Sequence, residues 1–173
     1  MVFRWRAGEI ITAERLNAGE TILITQENDQ TITSQDAFEP SEISFLPEPN
    51  AVYEYRLLIS YSAHTTPDFV WRWPTTNIAG VSFASFTQAY HRDASGGLNS
   101  GSEVIFRRPA NSTSRVAGGI GDGNIMSAYD QGTFESDASP SECTMEFAQA
   151  TSSSNPTILR GGNQTRMTYR RIG

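Results

Sequence analysis

No lysine occurs in the 173 residues, and all thirteen basic side chains are arginine. A planar five-donor guanidinium suits interfaces; a GC-rich coding sequence accounts for the same bias. Cysteine occurs once, as Cys143, which excludes a disulfide framework and a cysteine-based metal site. Cys143, Met145 and Phe147 alternate with Thr144 and Glu146, so the thiol reads as a small buried hydrophobe. No apolar run approaches the roughly 18 residues of a transmembrane helix, so no membrane insertion is expected. The segment Met1 to Arg6 lacks the apolar stretch of a secretory signal. Hydrophobic residues make up 38% and charged residues 18%, both low for a globular chain. Ser, Thr, Gly and Asn fill the difference, and these are residues of turns and short strands.

The net charge of −6 excludes free nucleic acid as an expected partner, because phosphate binding needs clustered positive charge. The charge is uneven. Residues 1–54 hold ten acids and three arginines, a net −7, while the remainder holds nine acids and ten arginines, a net +1. An acidic first third suits a basic partner surface or a solvated face. A single domain of this length buries roughly 70% of its unfolded surface. The expected organisation is a docking arm at 1–19 and one domain at 20–173.

The arm differs from the rest. Phe3 to Ile11 reads as an extended segment with aromatics. Thr12 to Ala18 reads as a short helical turn with Thr12 as N-cap and Asn17 or Gly19 at its end. A helix this short needs a surface to dock on. Phe3, Trp5, Ile10, Ile11 and Leu16 are therefore the candidate docking residues, because an extended arm has no core of its own.

From Glu20 onward the period is two. Tyr53, Tyr55, Leu57, Ile59 and Tyr61 alternate with more polar neighbours, as do Phe69, Trp71 and Trp73. Ile43 and Phe45, Val81 and Phe83, Val104 and Phe106, and Met167 to Arg171 give further strands. Thr21–Thr25, Thr31–Thr33, Ile125–Tyr129 and Gly132–Glu135 are weaker ones. Turn residues separate them at 28–29, 47–50, 74–77, 95–97, 121–124, 130–132 and 161–163. Residues 91–102 and 109–124 read as long loops. About ten short strands of this kind form an all-β, antiparallel β-sandwich, jelly-roll-like, behind the N-terminal arm and helical turn. Alternation argues against a buried parallel sheet, whose strands are continuously apolar.

Patterns that carry chemistry are thin. His64 and His91 lie near Ser62, Thr66, Asp68 and Asp93, yet no Gly-x-Ser-x-Gly elbow accompanies them. Gly119-Ile120-Gly121-Asp122-Gly123 lacks the Lys-Ser/Thr of a phosphate loop and reads as a loop or hairpin. Asp122 and Asp130 miss the calcium-loop spacing. Asp36, Glu39, Glu42 and Glu48 read as a solvated edge, and the sequons at Asn111 and Asn163 stand without a sign of secretion. Trp71, Trp73 and Tyr90 suit either a core or a sugar-stacking platform; alternation puts both tryptophans on one face, which favours core or subunit interface. No catalytic residue, metal site or cofactor is expected.

Trp5-Arg6-Ala7-Gly8-Glu9-Ile10-Ile11-Thr12-Ala13-Glu14-Arg15-Leu16-Asn17 resembles the AGE-(I/V)-(V/L)-TA-x-x-(L/M)-N opening of minor tail and related virion decoration proteins of actinobacterial phages. Ile43-Ser44-Phe45 followed by Pro49-Asn50-Ala51-Val52-Tyr53-Glu54-Tyr55 is similar to their hairpin, and Pro67 to Trp73 to their DFK-(F/V)-x-W strand. Met145 to Ser152, Thr157 to Gly162 and Met167 to Ile172 are similar to their C-terminal segments. Pro74-Thr75-Thr76 replaces the family's P-x-G step, and residues 91–124 are unmatched. The resemblance implies a tailed-phage virion protein assembled in the bacterial cytoplasm. It implies a homotrimeric sandwich fixed to other virion proteins, of tail or capsid, through its N-terminal segment, with no catalysis. A receptor-binding module for a host surface glycan is the alternative.

Overall fold

The computed structural model describes residues 8, 10, 19–73, 80–90, 104–107 and 114–173, with 90 and 104–107 described by their backbone. The expected helical turn at 12–18 and the loop at 91–102 lie outside these residues.

Twelve strands make up the described fold: β1 (Ile22–Thr25), β2 (Gln30–Ile32), β3 (Glu39–Phe45), β4 (Val52–Ala63), β5 (Phe69–Arg72), β6 (Val81–Tyr90), β7 (Val104–Arg107), β8 (Arg115–Ala117), β9 (Gly121–Ser136), β10 (Cys143–Ala148), β11 (Thr157–Leu159) and β12 (Arg166–Arg171). They form two sheets. The larger runs β1-β12-β4-β9-β6-β7, with β11 bridging β4 to β2; the smaller runs β3-β10-β5-β8. Every pairing is antiparallel. Only β6 and β7 are both consecutive and paired among the described residues. Most other connections cross from one sheet to the other, so the chain is an antiparallel β-sandwich, as its alternation implies.

The period-two faces meet in one core. Tyr53, Tyr55, Leu57, Ile59 and Tyr61 of β4 are all buried, as are Phe69 and Trp71 of β5 and, just beyond it, Trp73. Trp73 stacks on Phe83 at 4.9 Å, Tyr53 on Phe134 at 4.7 Å and Tyr61 on Phe69 at 4.6 Å. Such pairs add about 0.5–1.5 kcal/mol each beyond the area they bury. Cys143, Met145 and Phe147 sit in the same core, as their alternation implies. Alternation lapses in the second half of β4, where Ser60 and Ser62 are buried too. The 160–165 turn covers them: Ser60 N–H donates to Thr165 Oγ1 at 3.0 Å, and Arg160 Nη2 donates to Ser62 Oγ at 2.8 Å.

The structure corrects three readings. Residues 130–132 are not a turn but the middle of β9, a 16-residue strand paired with β4 on one side and β6 on the other. Gly132 sits there because β6 comes close: a Cβ would lie 2.1 Å from the Ala84 carbonyl oxygen. Residues 121–124 likewise open β9 rather than bend it. The β4–β9 register shifts between Tyr61 and Ala63, opposite the strand's start, and Gly121 has φ of 127°. A bulge and a hairpin ask for similar residues, so the local signal does not separate them. The loop expected at 109–124 contains β8, which pairs with β5 through Val70 and Val116. The turns at 47–50 and 161–163 are present, with Asn50 and Asn163 both at positive φ.

Candidate docking surface and buried polar centre

Of the candidate docking residues, Ile10 is described, and its side chain is 82% exposed. Phe3, Trp5, Ile11 and Leu16 lie outside the described residues. The arm leads into β1, whose Ile22 and Leu23 are 44% and 58% exposed. β1 closes one end of the larger sheet, pairing with β12 through Ile22–Tyr169 to Thr25–Arg166. Beside it, Thr21, Glu54, Arg56, Thr168 and Arg170 line a shallow depression of about 260 Å³ on the outer face. Glu54 and Arg170 form an exposed ion pair at 2.6 Å across that depression, worth about 1 kcal/mol or less in water.

The matching end of the smaller sheet, β3, is covered. Gln26 Oε1 accepts the Glu42 N–H at 3.0 Å, and Gln30 Nε2 donates to the Pro40 carbonyl at 3.2 Å. Pro40 has no N–H to offer. The Glu42 carboxylate in turn accepts the Glu27 N–H, which holds its carboxyl below the ordinary range. Gly161 N–H and then Arg160 hold Asp29 down in the same way. The acids at 39, 42 and 48 therefore do not converge: Glu39 meets Gln35, and Glu48 meets Arg171.

One polar group sits at the centre of the sandwich. Asp130 is fully buried, as is Arg115. Arg115 Nε lies 2.9 Å from Asp130 Oδ2. Tyr55 Oη donates to Oδ1 at 2.8 Å, and Trp71 Nε1 donates to Oδ2 at 3.1 Å. Arg115 Nη2 also donates to Ser85 Oγ at 2.9 Å. The cluster joins five strands, β4, β5, β6, β8 and β9, across both sheets. Burial pushes the Asp130 carboxyl above its ordinary range, and the guanidinium and three hydroxyl or indole donors pull against that. Burial likewise pushes the Tyr55 phenol far up. Reading the sequence missed this centre. Its signal was parity: Asp130 falls on the same alternation as Met126, Ala128 and Phe134, all buried.

Trp71 and Trp73 belong to the core and present no face to a sugar, which removes the platform from the glycan reading; the Tyr90 side chain is outside the description. Their nitrogens differ. Trp71 Nε1 is bonded to Asp130, whereas Trp73 Nε1 is buried and meets no acceptor among the described residues. Trp71→Phe should therefore destabilise the fold by about 1–2 kcal/mol more than Trp73→Phe, read as urea midpoints at equal slope. Equal midpoints would contradict the assignment.

The histidine constellation does not assemble from the described residues. Ser62 Oγ is occupied by Arg160, and the Asp68 carboxylate accepts the Gly119 N–H at 3.0 Å. His64 is half-buried beside Thr65, and His91 lies outside the described residues. Among the described residues no group of three or more His, Cys, Asp or Glu is placed to hold a metal ion. No helix among them is long and apolar enough to cross a membrane.

No family model matches the chain, and no curated protein matches it. Among solved structures, the T13 particle of infectious bursal disease virus is similar over 100% of this chain and 40% of its own, at 13% identity and a TM-score of 0.31. The Gt strain of that virus is similar over 100% and 42%, at 11% identity and a TM-score of 0.21. This chain thus spans about two fifths of those chains, and likeness at this level carries no argument about what it does.

Proposed function

We propose that the chain is a structural protein of a tailed-phage virion. It is a non-catalytic, trimeric surface subunit held to other virion proteins by residues 1–19, as a minor tail protein or a capsid decoration protein. It assembles in the bacterial cytoplasm. The observation that carries the reading is the exposed apolar side chains of the strand that follows the arm. Ile22 and Leu23 of β1 are exposed at the edge of the larger sheet, and Ile10 of the arm is exposed as well. Exposed apolar side chains of this kind suit a partner surface. The motif order from Trp5 to Ile172 supplies the class of partner, since it resembles virion proteins of actinobacterial phages.

Deleting residues 1–19 tests the reading. The truncated chain should keep its far-ultraviolet circular dichroism and its denaturation midpoint, and should be absent from purified particles. Truncated protein that still joins particles, or that unfolds, would overturn the anchoring role.

A further inference from the structure

The outward side of the larger sheet carries an arrangement that the fold itself does not use. Alternation turns Arg56 and Leu58 of β4, Tyr129 and Gln131 of β9, and Arg166 and Thr168 of β12 away from the core. The ladders set them in two adjoining rows. Thr168, Arg56 and Gln131 stand opposite one another in the first, and Arg166, Leu58 and Tyr129 in the second. Arg56 and Arg166 are therefore diagonal neighbours, about 7–8 Å apart.

Their charges are uncompensated. Of the arginines whose side chains are described, Arg72, Arg115, Arg160, Arg170 and Arg171 each pair with a carboxylate. Arg56 and Arg166 form no ion pair among the described residues. Arg166 donates to the Asn163 carbonyl at 3.2 Å, and Glu54, the acid beside Arg56, is taken by Arg170 at 2.6 Å. Like charges held side by side on a sheet cost stability, and an anion between them offsets that cost. Tyr129 lies in the next strand. It is 48% exposed although β9 is paired on both sides. Arg56 and Thr168 also line the shallow depression toward β1, so the face is recessed there.

We propose that this face binds an acidic glycan. Arg56 and Arg166 take a sugar carboxylate, Tyr129 stacks on a sugar ring, and Gln131 and Thr168 meet its hydroxyls. A guanidinium fork matches a carboxylate with two parallel hydrogen bonds. The negative face of a tyrosine ring attracts the C–H side of a sugar. An amide and a hydroxyl both donate and accept, as sugar hydroxyls do. A protein partner fits less well, because the centre of a protein interface is apolar and poor in charge. Here Leu58 is half-buried between Arg166 and Tyr129. Nucleic acid fits less well again. Two arginines make no continuous basic track, and Glu54 and Glu135 share the face. Binding at this face needs neither the arm nor the particle.

The test is calorimetric titration of the full-length protein, at low salt, with hexasaccharides of polygalacturonate and of alginate. Neutral maltohexaose and poly-glutamate are the comparisons. The acidic hexasaccharides should bind and maltohexaose should not. Arg56→Ala and Tyr129→Ala should each weaken binding about tenfold or more. Circular dichroism should be unchanged in both, since neither side chain enters the core. Arg171→Ala removes the same charge away from the face and should leave binding as it was. No binding of either acidic hexasaccharide, or binding that survives Arg56→Ala, would overturn the proposal. Poly-glutamate binding as tightly as the sugars, with no effect of Tyr129→Ala, would mark a surface for an acidic protein. A lower oligomeric mass for Tyr129→Ala would mark a contact between copies. Either result would also overturn it. None of these readouts involves particles, so failure here is distinct from failure of the virion reading.

Discussion

Asp130→Ala is expected to destabilise the fold by about 3–5 kcal/mol, a large part of the margin of a single domain. The carboxylate is the shared acceptor for the Tyr55 hydroxyl and the Trp71 indole and the counter-ion of Arg115. Removing it leaves a guanidinium that is 1% exposed without its charge partner, far from water. The loss arises from that stranded charge more than from the missing bonds, because an ion pair taken out of water nearly cancels its own desolvation. Removing both charges should therefore hurt less than removing one. Asp130→Leu combined with Arg115→Met should recover most of the loss, since well-packed apolar replacements of buried pairs are often neutral. Urea denaturation of the single and double variants checks both statements. A single variant within 1 kcal/mol of the parent would mean that the buried pair is not what ties the sheets.

Gly132→Ala is the second large effect. The added methyl would meet the Ala84 carbonyl oxygen at 2.1 Å and the Ser85 Cα at 2.8 Å, both backbone atoms of the neighbouring strand. Neither can swing aside as a side-chain tip would, so β6 and β9 must separate. Overpacking of this kind costs about 1–3 kcal/mol, and the middle of a central strand belongs at the upper end. Gly123→Ala in the same strand is the control, because its Cβ would meet nothing within 4 Å. It should change stability by about 0.5 kcal/mol or less. Matched denaturation midpoints for the two variants would contradict the close approach.

These two positions also show where the sequence was legible and where it was not. The β4 and β5 strands could be read because their inner faces are aromatic and the period is uninterrupted from Tyr53 to Tyr61 and from Phe69 to Trp73. Their burial followed, and with it the rejection of Trp71 and Trp73 as a sugar platform. Asp130-Gln131-Gly132 misled because Asp and Gly favour turns by local backbone chemistry. In this fold each is needed for a tertiary reason, one as a buried counter-ion and the other for space. Arg115-Val116-Ala117 misled in a similar way. An arginine on an inner face reads as loop until its partner Asp130, fifteen residues on, is placed against it. The exposed apolar side chains of β1 were visible only as part of a weak strand, because edge position is a property of topology. The arm stood out by composition, and Ile10 is the one candidate docking residue whose exposure the structure describes.

The central claim is that this chain is a building block of a particle. Quantitative mass spectrometry of purified particles from an infected host tests it most directly, with the free cytoplasmic fraction as comparison. The account predicts the chain in the particles at a fixed copy number divisible by three, resistant to salt washing. A chain found in the cytoplasm but absent from the particles would contradict it.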